Sequence, residues 1–132
     1  MKYLSIDEVL AIHHDVIKTI GGKKGILDFT LLHSAIERPK ATFAGKDLYE
    51  SIFEKAAVLL DSLILNHAFQ DGNKRTAYIA CMRFLYINKY KLNIKKKELI
   101  RFILKIESKK IKVQHISSII EKHSSFRKNL KI

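Results

Sequence analysis

Residues 67–78, HAFQDGNKRTAY, place a histidine, an aspartate, an asparagine, a lysine and an arginine, five different chemistries, within nine positions. The stretch joins two apolar segments, each of which has the periodicity of a buried helix. A junction between two core helices needs a turn, which Gly72 would supply. It does not need an imidazole, a carboxylate, an amide, an amine and a guanidinium. The composition of this junction therefore indicates a site for a ligand or a reaction.

The start of the second helix is the part of the junction that could hold an anion. The first N–H groups of a helix have no acceptor within it, and they carry the positive end of its dipole. Gly72 would put no side chain in front of the N–H groups of Asn73 and its successors, so a phosphate could approach closely. Lys74 and Arg75 add two cations to this positive end, where they are unfavourable unless an anion binds. The pattern predicts a site for a strongly anionic ligand.

The other residues of the junction supply the remaining parts of a phosphate-transfer site. Asp71 could bind Mg²⁺, which takes few carboxylates and leaves its other positions to phosphate and water. His67 ends the preceding helix, and an unperturbed imidazole titrates in the range that suits a base for a hydroxyl near neutral pH. Phe69 is expected to turn inward and anchor the loop. The set predicts phosphoryl or nucleotidyl transfer.

Each residue also has a structural explanation when it is considered alone. His67 could interact with the negative end of a helix dipole, Asp71 could belong to an ordinary Asp-Gly-Asn turn, and Lys74 could be a solvated surface residue. These explanations would all have to hold independently at adjacent positions. Their combination is what favours a catalytic site.

The elements around the junction read as helices nearly throughout. Six helices are expected, and residues 40–49 are expected to form a loop or a small hairpin. Ser5 and Glu8 match a capping box at the start of the first helix, which Gly21 and Gly22 end. The expected helices cover residues 5–20, 28–38, 50–67, 73–89, 95–107 and 112–123, with the third and fourth as the core hairpin. The sequence predicts an all-α fold.

Composition bounds the class of protein. The chain has 132 residues, of which 47% are hydrophobic, so residues 1–132 are expected to form a single domain. No apolar run approaches the roughly 20 residues that cross a bilayer, and the N-terminus lacks the apolar core of a secretory signal. The one cysteine, Cys81, follows the pattern of a buried helix and is expected to be a core thiol. We expect a reduced, cytoplasmic protein with no membrane partner.

The net charge of +12 is unevenly distributed. Residues 1–94 contain 13 basic and 10 acidic side chains, whereas residues 95–132 contain 12 and 3. Such a surface attracts polyanions or an acidic partner segment, and compositional drift toward lysine is the alternative explanation. Residues 126–132 are expected to be a flexible basic tail. The histidines outside the junction suggest no zinc site: His13 and His14 are expected to be surface or partly buried residues, and His115 lies too far from His123.

The segment HAFQDGNKR resembles the signature loop of the Fic/Doc family, which runs His-x-Phe-x-Asp/Glu-Gly-Asn-Gly/Lys-Arg. The segments LLHSAIERPKATFAG, DLY and EKAA extend the resemblance to the death-on-curing (Doc) branch over about residues 3–92. The resemblance implies a Fic/Doc helical fold with ATP as substrate and Mg²⁺ as cofactor. It implies that His67 is the general base, Asp71 the Mg²⁺ ligand and Phe69 the hydrophobic anchor. By the same resemblance, the nucleotide phosphates are held by Gly72, Asn73, Lys74 and Arg75, and the target segment is docked by a flap containing Thr42, Phe43, Ala44 and Gly45.

Two positions bear on the reaction. Family members that transfer AMP usually have glycine where this chain has Lys74, and a second arginine where it has Tyr78. Both departures resemble the Doc toxins, which are similar to kinases that transfer the γ-phosphate of ATP to a protein hydroxyl. The resemblance therefore favours phosphate transfer, with AMP transfer as the alternative.

The resemblance also implies partners. It suggests a toxin of a toxin–antitoxin module that blocks translation, with elongation factor Tu as a possible protein substrate and an antitoxin that carries an acidic inhibitory segment. Ser117 and Glu121 have the spacing of the family's self-inhibitory helix, but Lys122 departs from its pattern, so an ordinary amphipathic helix is expected there. Nucleic acid is not expected as a substrate. A non-catalytic basic module that binds nucleic acid is the alternative from another class.

Overall fold

A computed structural model describes residues 1–127, and it confirms the all-α fold with six helices. The helices are α1 (Ile6–Ile20), α2 (Phe29–Glu37), α3 (Ile52–Leu65), α4 (Asn73–Ile87), α5 (Lys96–Glu107) and α6 (Val113–Lys122). A short 3₁₀ helix (Arg38–Lys40) follows α2. Four strands of two or three residues form two antiparallel pairs, β1 (Thr42–Phe43) with β2 (Lys46–Asp47) and β3 (Tyr90–Leu92) with β4 (Ser124–Phe126).

Side-chain caps explain where the first three helices begin. The Ser5 hydroxyl accepts a hydrogen bond from the Glu8 N–H while the Glu8 carboxylate accepts one from the Ser5 N–H, which confirms the expected capping box. Asp28 accepts from the Leu31 N–H at the start of α2. A second capping box, formed by Ser51 and Glu54, starts α3. Helix α4 begins without a side-chain cap.

Helix α3 is the centre of the core. Its residues from Lys55 to Leu60 are all buried, as are Ser62, Leu63 and Ile64. It packs most extensively against α4 and α6, and also contacts α2 and α5. An apolar helix that is surrounded on several sides is the arrangement expected of a central core element. The α3–α4 hairpin therefore fixes the place of the junction between them.

The helix ends and the short strands differ from the sequence expectation. Helix α3 ends at Leu65, so Asn66 and His67, which were expected in the helix, belong to the loop before α4. Helix α4 ends at Ile87, where residue 89 was expected. The β3–β4 pair was not expected, because three-residue strands are too short to show an alternating pattern. It is stabilised by edge-to-face packing of Tyr90 against both Phe53 and Phe126.

The expected basic tail at 126–132 falls mostly outside the described residues. Phe126 pairs with Tyr90, and the Arg127 guanidinium stacks on the Tyr86 ring and donates to the Tyr86 carbonyl oxygen at 2.6 Å. These two residues of the expected tail thus belong to the folded domain, and residues 128–132 lie outside the described part.

Cys81 lies in the core between α4 and α3, as expected. Its side chain is fully buried, and Sγ donates a long hydrogen bond of 3.7 Å to the Ala56 carbonyl oxygen. Burial disfavours the charged thiolate and raises the pKa of Cys81 to about 12. The thiol is therefore unreactive in the folded chain. Within residues 1–127, no helix combines the length and the apolar character needed to cross a bilayer.

Helix α1 supports the junction through His13, which corrects the expectation of a surface or partly buried filler. The side chain is 6% exposed, and its ring stacks on Phe69 with the centroids 3.8 Å apart and the planes at 7°. Its Nε2–H donates to the Asp71 carbonyl oxygen at 2.8 Å, since a carbonyl can only accept. His13 lies one turn from the buried residues Val9 and Val16, so the periodicity of α1 already placed it on the apolar face.

Replacing His13 with alanine is expected to lower the free energy of unfolding by about 2–3 kcal/mol, because it removes a buried stacked ring and a hydrogen bond. Urea denaturation followed by circular dichroism measures the loss. His14→Ala is the matched control, since His14 is exposed and an exposed substitution of this kind changes stability by less than about 0.5 kcal/mol. Equal stability of the two variants would show that His13 does not support the loop.

Candidate active site

The loop between α3 and α4 is closed by the side chain of Asn73. Its Oδ1 accepts from the Phe69 N–H at 3.0 Å, and its Nδ2 donates to the Phe69 carbonyl oxygen at 2.8 Å. Both bonds are buried, so they form where water does not compete. The amide of Asn73 thus serves the loop itself, and its backbone N–H remains at the start of α4.

Gly72 has a different role from the expected one of opening space for an anion. Its φ of 79° is the left-handed conformation that glycine adopts without strain. A Cβ at this position would lie 3.2 Å from both Ile17 Cδ1 and Val16 Cγ1, so a side chain at residue 72 would point at α1. Glycine is required at 72 by the turn and by packing on α1.

A segment from Gly22 to Asp28 runs along the loop and satisfies its backbone. The N–H groups of Leu27 and Asp28 donate to the Ala68 carbonyl oxygen at 2.7 and 3.3 Å, and the Gln70 N–H donates to the Gly25 carbonyl oxygen at 3.1 Å. We refer to residues 22–28 as the strap. The strap brings residues about 45 positions earlier in the chain against the loop. The sequence pattern predicts only that a helix stops at Gly21 and Gly22, because contacts this distant leave no local signal.

A hydrogen bond to the backbone determines which ring nitrogen of neutral His67 carries the lone pair. The backbone at His67 is left-handed, with φ of 48°, and the ring Nδ1 lies 3.1 Å from the Ile64 carbonyl oxygen. The carbonyl can only accept, so Nδ1 carries the hydrogen and Nε2 of the neutral ring carries the lone pair. The side chain is exposed. An incoming hydroxyl could therefore give its proton to Nε2, which is the geometry of a general base.

Asp71 keeps one carboxylate oxygen without a protein partner among residues 1–127. Its Oδ2 accepts from the Lys23 N–H of the strap at 2.6 Å, which fixes the orientation of the group. Gly22 permits this contact, because a Cβ there would lie 3.1 Å from the Asp71 Cβ. A single oriented carboxylate with a free oxygen fits Mg²⁺, which takes most of its ligands from phosphate and water. Residues 1–127 contain no cluster of three or more His, Cys, Asp or Glu residues suited to a metal.

The start of α4 opens onto a cleft of about 780 Å³. Asp71, Gly72, Asn73, Lys74 and Arg75 all line it, together with the end of α1 and one face of α5. No side chain caps the helix, so its first N–H groups can meet an anion.

The positive charges of the two cations at this helix start are only weakly neutralised by carboxylates. Lys74 Nζ lies 3.5 Å from Glu107 Oε1, and the two side chains are 50% and 35% exposed. An ion pair this exposed contributes little free energy. Arg75 is exposed and makes no ion pair within residues 1–127. An uncapped helix start with two cations has the electrostatic character that would attract a phosphate group.

His67 and the flap lie outside this cleft. Neither His67 nor residues 42–45 are among the residues that line it. The flap is the β1–β2 hairpin, in which Ala44 and Gly45 have φ of 52° and 78° at the turn and Phe43 is 77% exposed. The hairpin alternative of the sequence expectation is thus the one observed. The residues expected to bind phosphate and metal, 71–75, lie together along the cleft. His67 is exposed to solvent at the other end of the same loop.

The possible self-inhibitory helix does not reach the site. Ser117 is buried, α6 packs on α3, and Glu121 is exposed without an ion pair to Arg75. The lining residues of the cleft include none from α6. Residues 117–122 form an ordinary amphipathic helix, as expected.

Comparison with known proteins places this geometry in a family. The model of the Fic/DOC family matches residues 3–85. The chain is 52% identical over 68 residues to a protein named Toxin Doc from Mycolicibacterium smegmatis (strain ATCC 700084 / mc(2)155), an alignment that covers 52% of each chain. It is 33% identical over 88 residues to the Protein kinase doc of Escherichia phage P1, which covers 67% of this chain and 69% of the relative.

The alignment to the mycobacterial relative spans about half of that protein. The family match, by contrast, covers well over half of this chain and contains the whole junction from His67 to Arg75 together with the flap and α1. The loop closed by Asn73, the uncapped start of α4 and the exposed imidazole all lie within the matched region, and the chain belongs to the Fic/Doc family.

Proposed function

We propose that this protein is a Doc-like toxin of a toxin–antitoxin module that transfers the γ-phosphate of ATP to a hydroxyl of a target protein. The observation that carries the proposal is the uncapped, cationic start of α4, which opens onto a cleft and shares one rigid loop with an exposed imidazole. The relatives named Toxin Doc and Protein kinase doc support the toxin and kinase parts for those proteins, and their extension to this chain is our inference.

Each residue has a defined task in this reaction. The N–H groups at the start of α4 and the side chains of Lys74 and Arg75 bind the phosphates and favour charge that develops during transfer. His67 Nε2 accepts the proton of the target hydroxyl as the hydroxyl oxygen bonds to the γ-phosphorus. The bond to the bridging oxygen breaks, and ADP leaves with that oxygen.

The metal ligand is Asp71. Its Oδ1 is the oxygen that would hold Mg²⁺, while Lys23 fixes Oδ2. When bound, Mg²⁺ offsets phosphate charge and orients the polyphosphate.

AMP transfer by the same residues is the alternative. It would require the hydroxyl to attack the α-phosphorus and pyrophosphate to leave, so the nucleotide would bind in another orientation. Lys74 and Tyr78, which both line the cleft, are the residues that resemble the phosphate-transferring branch. We favour phosphate transfer on that resemblance.

The cleft also suits the acidic segment of an antitoxin. Ile20, Ile100 and Leu104 each expose 51% of their surface there, and Lys74, Arg75 and Lys96 lie among them. An amphipathic helix with apolar and acidic faces would cover both kinds of side chain. Such a segment would compete with the nucleotide for the same cations, which would inhibit the toxin.

Incubation with γ-labelled ATP and a lysate of the host is expected to label a protein, whereas α-labelled ATP is expected to label none. His67→Ala should reduce labelling by about a hundredfold or more, because the general base is lost, and should abolish growth arrest on expression. His33→Ala is the matched control, since His33 is exposed on α2 and outside the site. Labelling from the α-position would establish AMP transfer instead. No labelling from either, with salt-sensitive nucleic-acid binding retained by His67→Ala, would favour the binding module.

Replacing Asp71 with asparagine is expected to raise the Mg²⁺ concentration needed for half-maximal transfer by about tenfold or more, because the oriented carboxylate is replaced by a neutral amide. The rate is titrated against Mg²⁺ at saturating ATP. Asp28→Asn, which changes a carboxylate of the strap away from the cleft, controls for net charge. An unchanged Mg²⁺ requirement in Asp71→Asn would exclude Asp71 as the ligand.

Co-expression with a short, acidic-tailed protein encoded beside this chain is expected to restore growth. Ile100→Ser should weaken that rescue while growth arrest persists, because it removes an exposed apolar contact for the segment and adds no charge beside the phosphates. Tyr86→Ser serves as the control, as Tyr86 is comparably exposed and lies outside this cleft. Equal rescue of Ile100→Ser and the wild type would place the antitoxin elsewhere.

A further inference from the structure

A nearly fully buried lysine holds the flap to the protein core. Lys55 of α3 has 1% of its side chain exposed, whereas its partner Asp47, the last residue of β2, is 51% exposed. Lys55 Nζ donates to Asp47 Oδ2 at 3.1 Å and to the Pro39 carbonyl oxygen at 3.2 Å. It also lies 5.7 Å from the centroid of the Tyr3 ring. One buried cation thus binds the chain just before the flap and at the end of the flap.

A second cation, Arg38, joins the same flanks to α3. Its Nη1 donates to Asp61 Oδ2 at 3.0 Å and to Ser62 Oγ at 2.7 Å, while its Nε donates to the Tyr49 hydroxyl at 3.3 Å. Burial lowers the pKa of Arg38, but the hydrogen bonds to Tyr49 and Asp61 raise it by more, so the pKa of Arg38 lies above its ordinary value. The guanidinium therefore stays charged in its half-buried position.

The stability of the core does not explain a lysine at position 55. Burying an ammonium group costs free energy unless it is fully paired, and an apolar side chain of similar volume is often as stable or more stable. Every neighbour of Lys55 within α3 from Ala56 to Leu60 is apolar and buried. The chain has a charged residue at a position where an apolar residue would suit the helix. The role of Lys55 therefore lies in the groups that Nζ contacts, the Pro39 carbonyl oxygen and the Asp47 carboxylate.

The Asp47 carboxylate that Lys55 Nζ contacts belongs to a hairpin that cannot fix its own orientation. A two-stranded hairpin is marginally stable in isolation, and β1 and β2 have only two residues each. All residues from Thr42 to Leu48 are exposed, and a Cβ at Gly45 would have no atom within 4 Å. The hydrogen bond from the Leu48 N–H to the Ala41 carbonyl oxygen, at 2.8 Å, closes the base of the hairpin. Its direction relative to the core therefore depends on the two cations.

We propose that Lys55 and Arg38 are positioning residues that fix the flap in the orientation in which it docks an extended segment of the protein substrate. This inference rests on the proposed function. A preoriented hairpin with Phe43 exposed can receive a peptide strand without first losing conformational entropy. The two residues touch neither the nucleotide cleft nor His67, so they act on the affinity for the protein substrate and leave ATP handling unchanged.

The test compares Asp47→Ala and Lys55→Met with Glu37→Gln. Asp47 is half exposed, so its replacement opens no cavity in the core; it removes one partner of Lys55, whose ammonium keeps the Pro39 carbonyl oxygen. Lys55→Met removes the charge and keeps the volume. Glu37→Gln breaks the exposed Lys40–Glu37 ion pair beside the flap and is the matched control.

Two measurements are made on each variant. Hydrogen exchange reports the protection of the Leu48 N–H, and steady-state phosphorylation of the purified protein that γ-labelled ATP labels in the lysate reports KM and kcat. Asp47→Ala is expected to speed exchange at Leu48 and to raise the KM for the protein substrate, each by about tenfold, since a hydrogen bond to a charged group is lost. The kcat and the KM for ATP should stay within about twofold of the wild type, because the groups at the phosphate site are unchanged. Asp47→Glu, which retains a carboxylate, is expected to recover most of the loss.

Exchange and KM in Asp47→Ala that match Glu37→Gln would overturn the positioning role, as would a loss confined to kcat. If Lys55→Met fails to fold, Asp47→Ala alone decides. A wild-type protein that phosphorylates no substrate contradicts the proposed function, and the exchange measurement still decides whether the cations hold the flap.

Discussion

The site depends on the pair of hydrogen bonds between the Asn73 side chain and the backbone of Phe69. These bonds close the loop across the point where α3 ends and α4 begins. Each contributes about 1 kcal/mol, and together they fix where the first N–H groups of α4 point. Because Asn73 is also the first residue of α4, closing the loop and directing the helix start are one event. The uncapped start of α4 and the imidazole consequently share one frame.

The chemistry of the loop resides in the groups that the protein leaves unpaired. His13 takes the Asp71 carbonyl oxygen, the strap takes the polar backbone atoms of Ala68 and Gln70, and Lys23 takes one oxygen of the Asp71 carboxylate. Among residues 1–127, what remains is the His67 Nε2, the second Asp71 oxygen, the start of α4 and Arg75, together with Lys74 in its exposed ion pair with Glu107. Buried polar groups must be satisfied, so this division is what allows a polar loop to sit on an apolar core.

The sequence predicted the six helices and the position of the site because both leave local signals. Capping residues such as Ser5, the apolar period of α3 and the crowding of charges after Gly72 can all be read within a few residues. The supports of the site could not be read in this way. The stacking of His13 on Phe69 and the contact of Lys23 with Asp71 join residues about 50 positions apart. The groups that Lys55 Nζ contacts, on Pro39 and Asp47, also lie 16 and 8 positions away in the chain, and three-residue strands carry too little pattern to be seen.

The backbone at His67 is in a conformation that does not favour a residue with a side chain. A left-handed conformation is least favourable for residues with a Cβ, and it costs about 1–2 kcal/mol relative to glycine. Folding alone would therefore prefer glycine or asparagine at this place. Either replacement would relieve the backbone and remove the imidazole. Backbone and side chain therefore place opposite demands on position 67, and the chain meets the demand of the side chain.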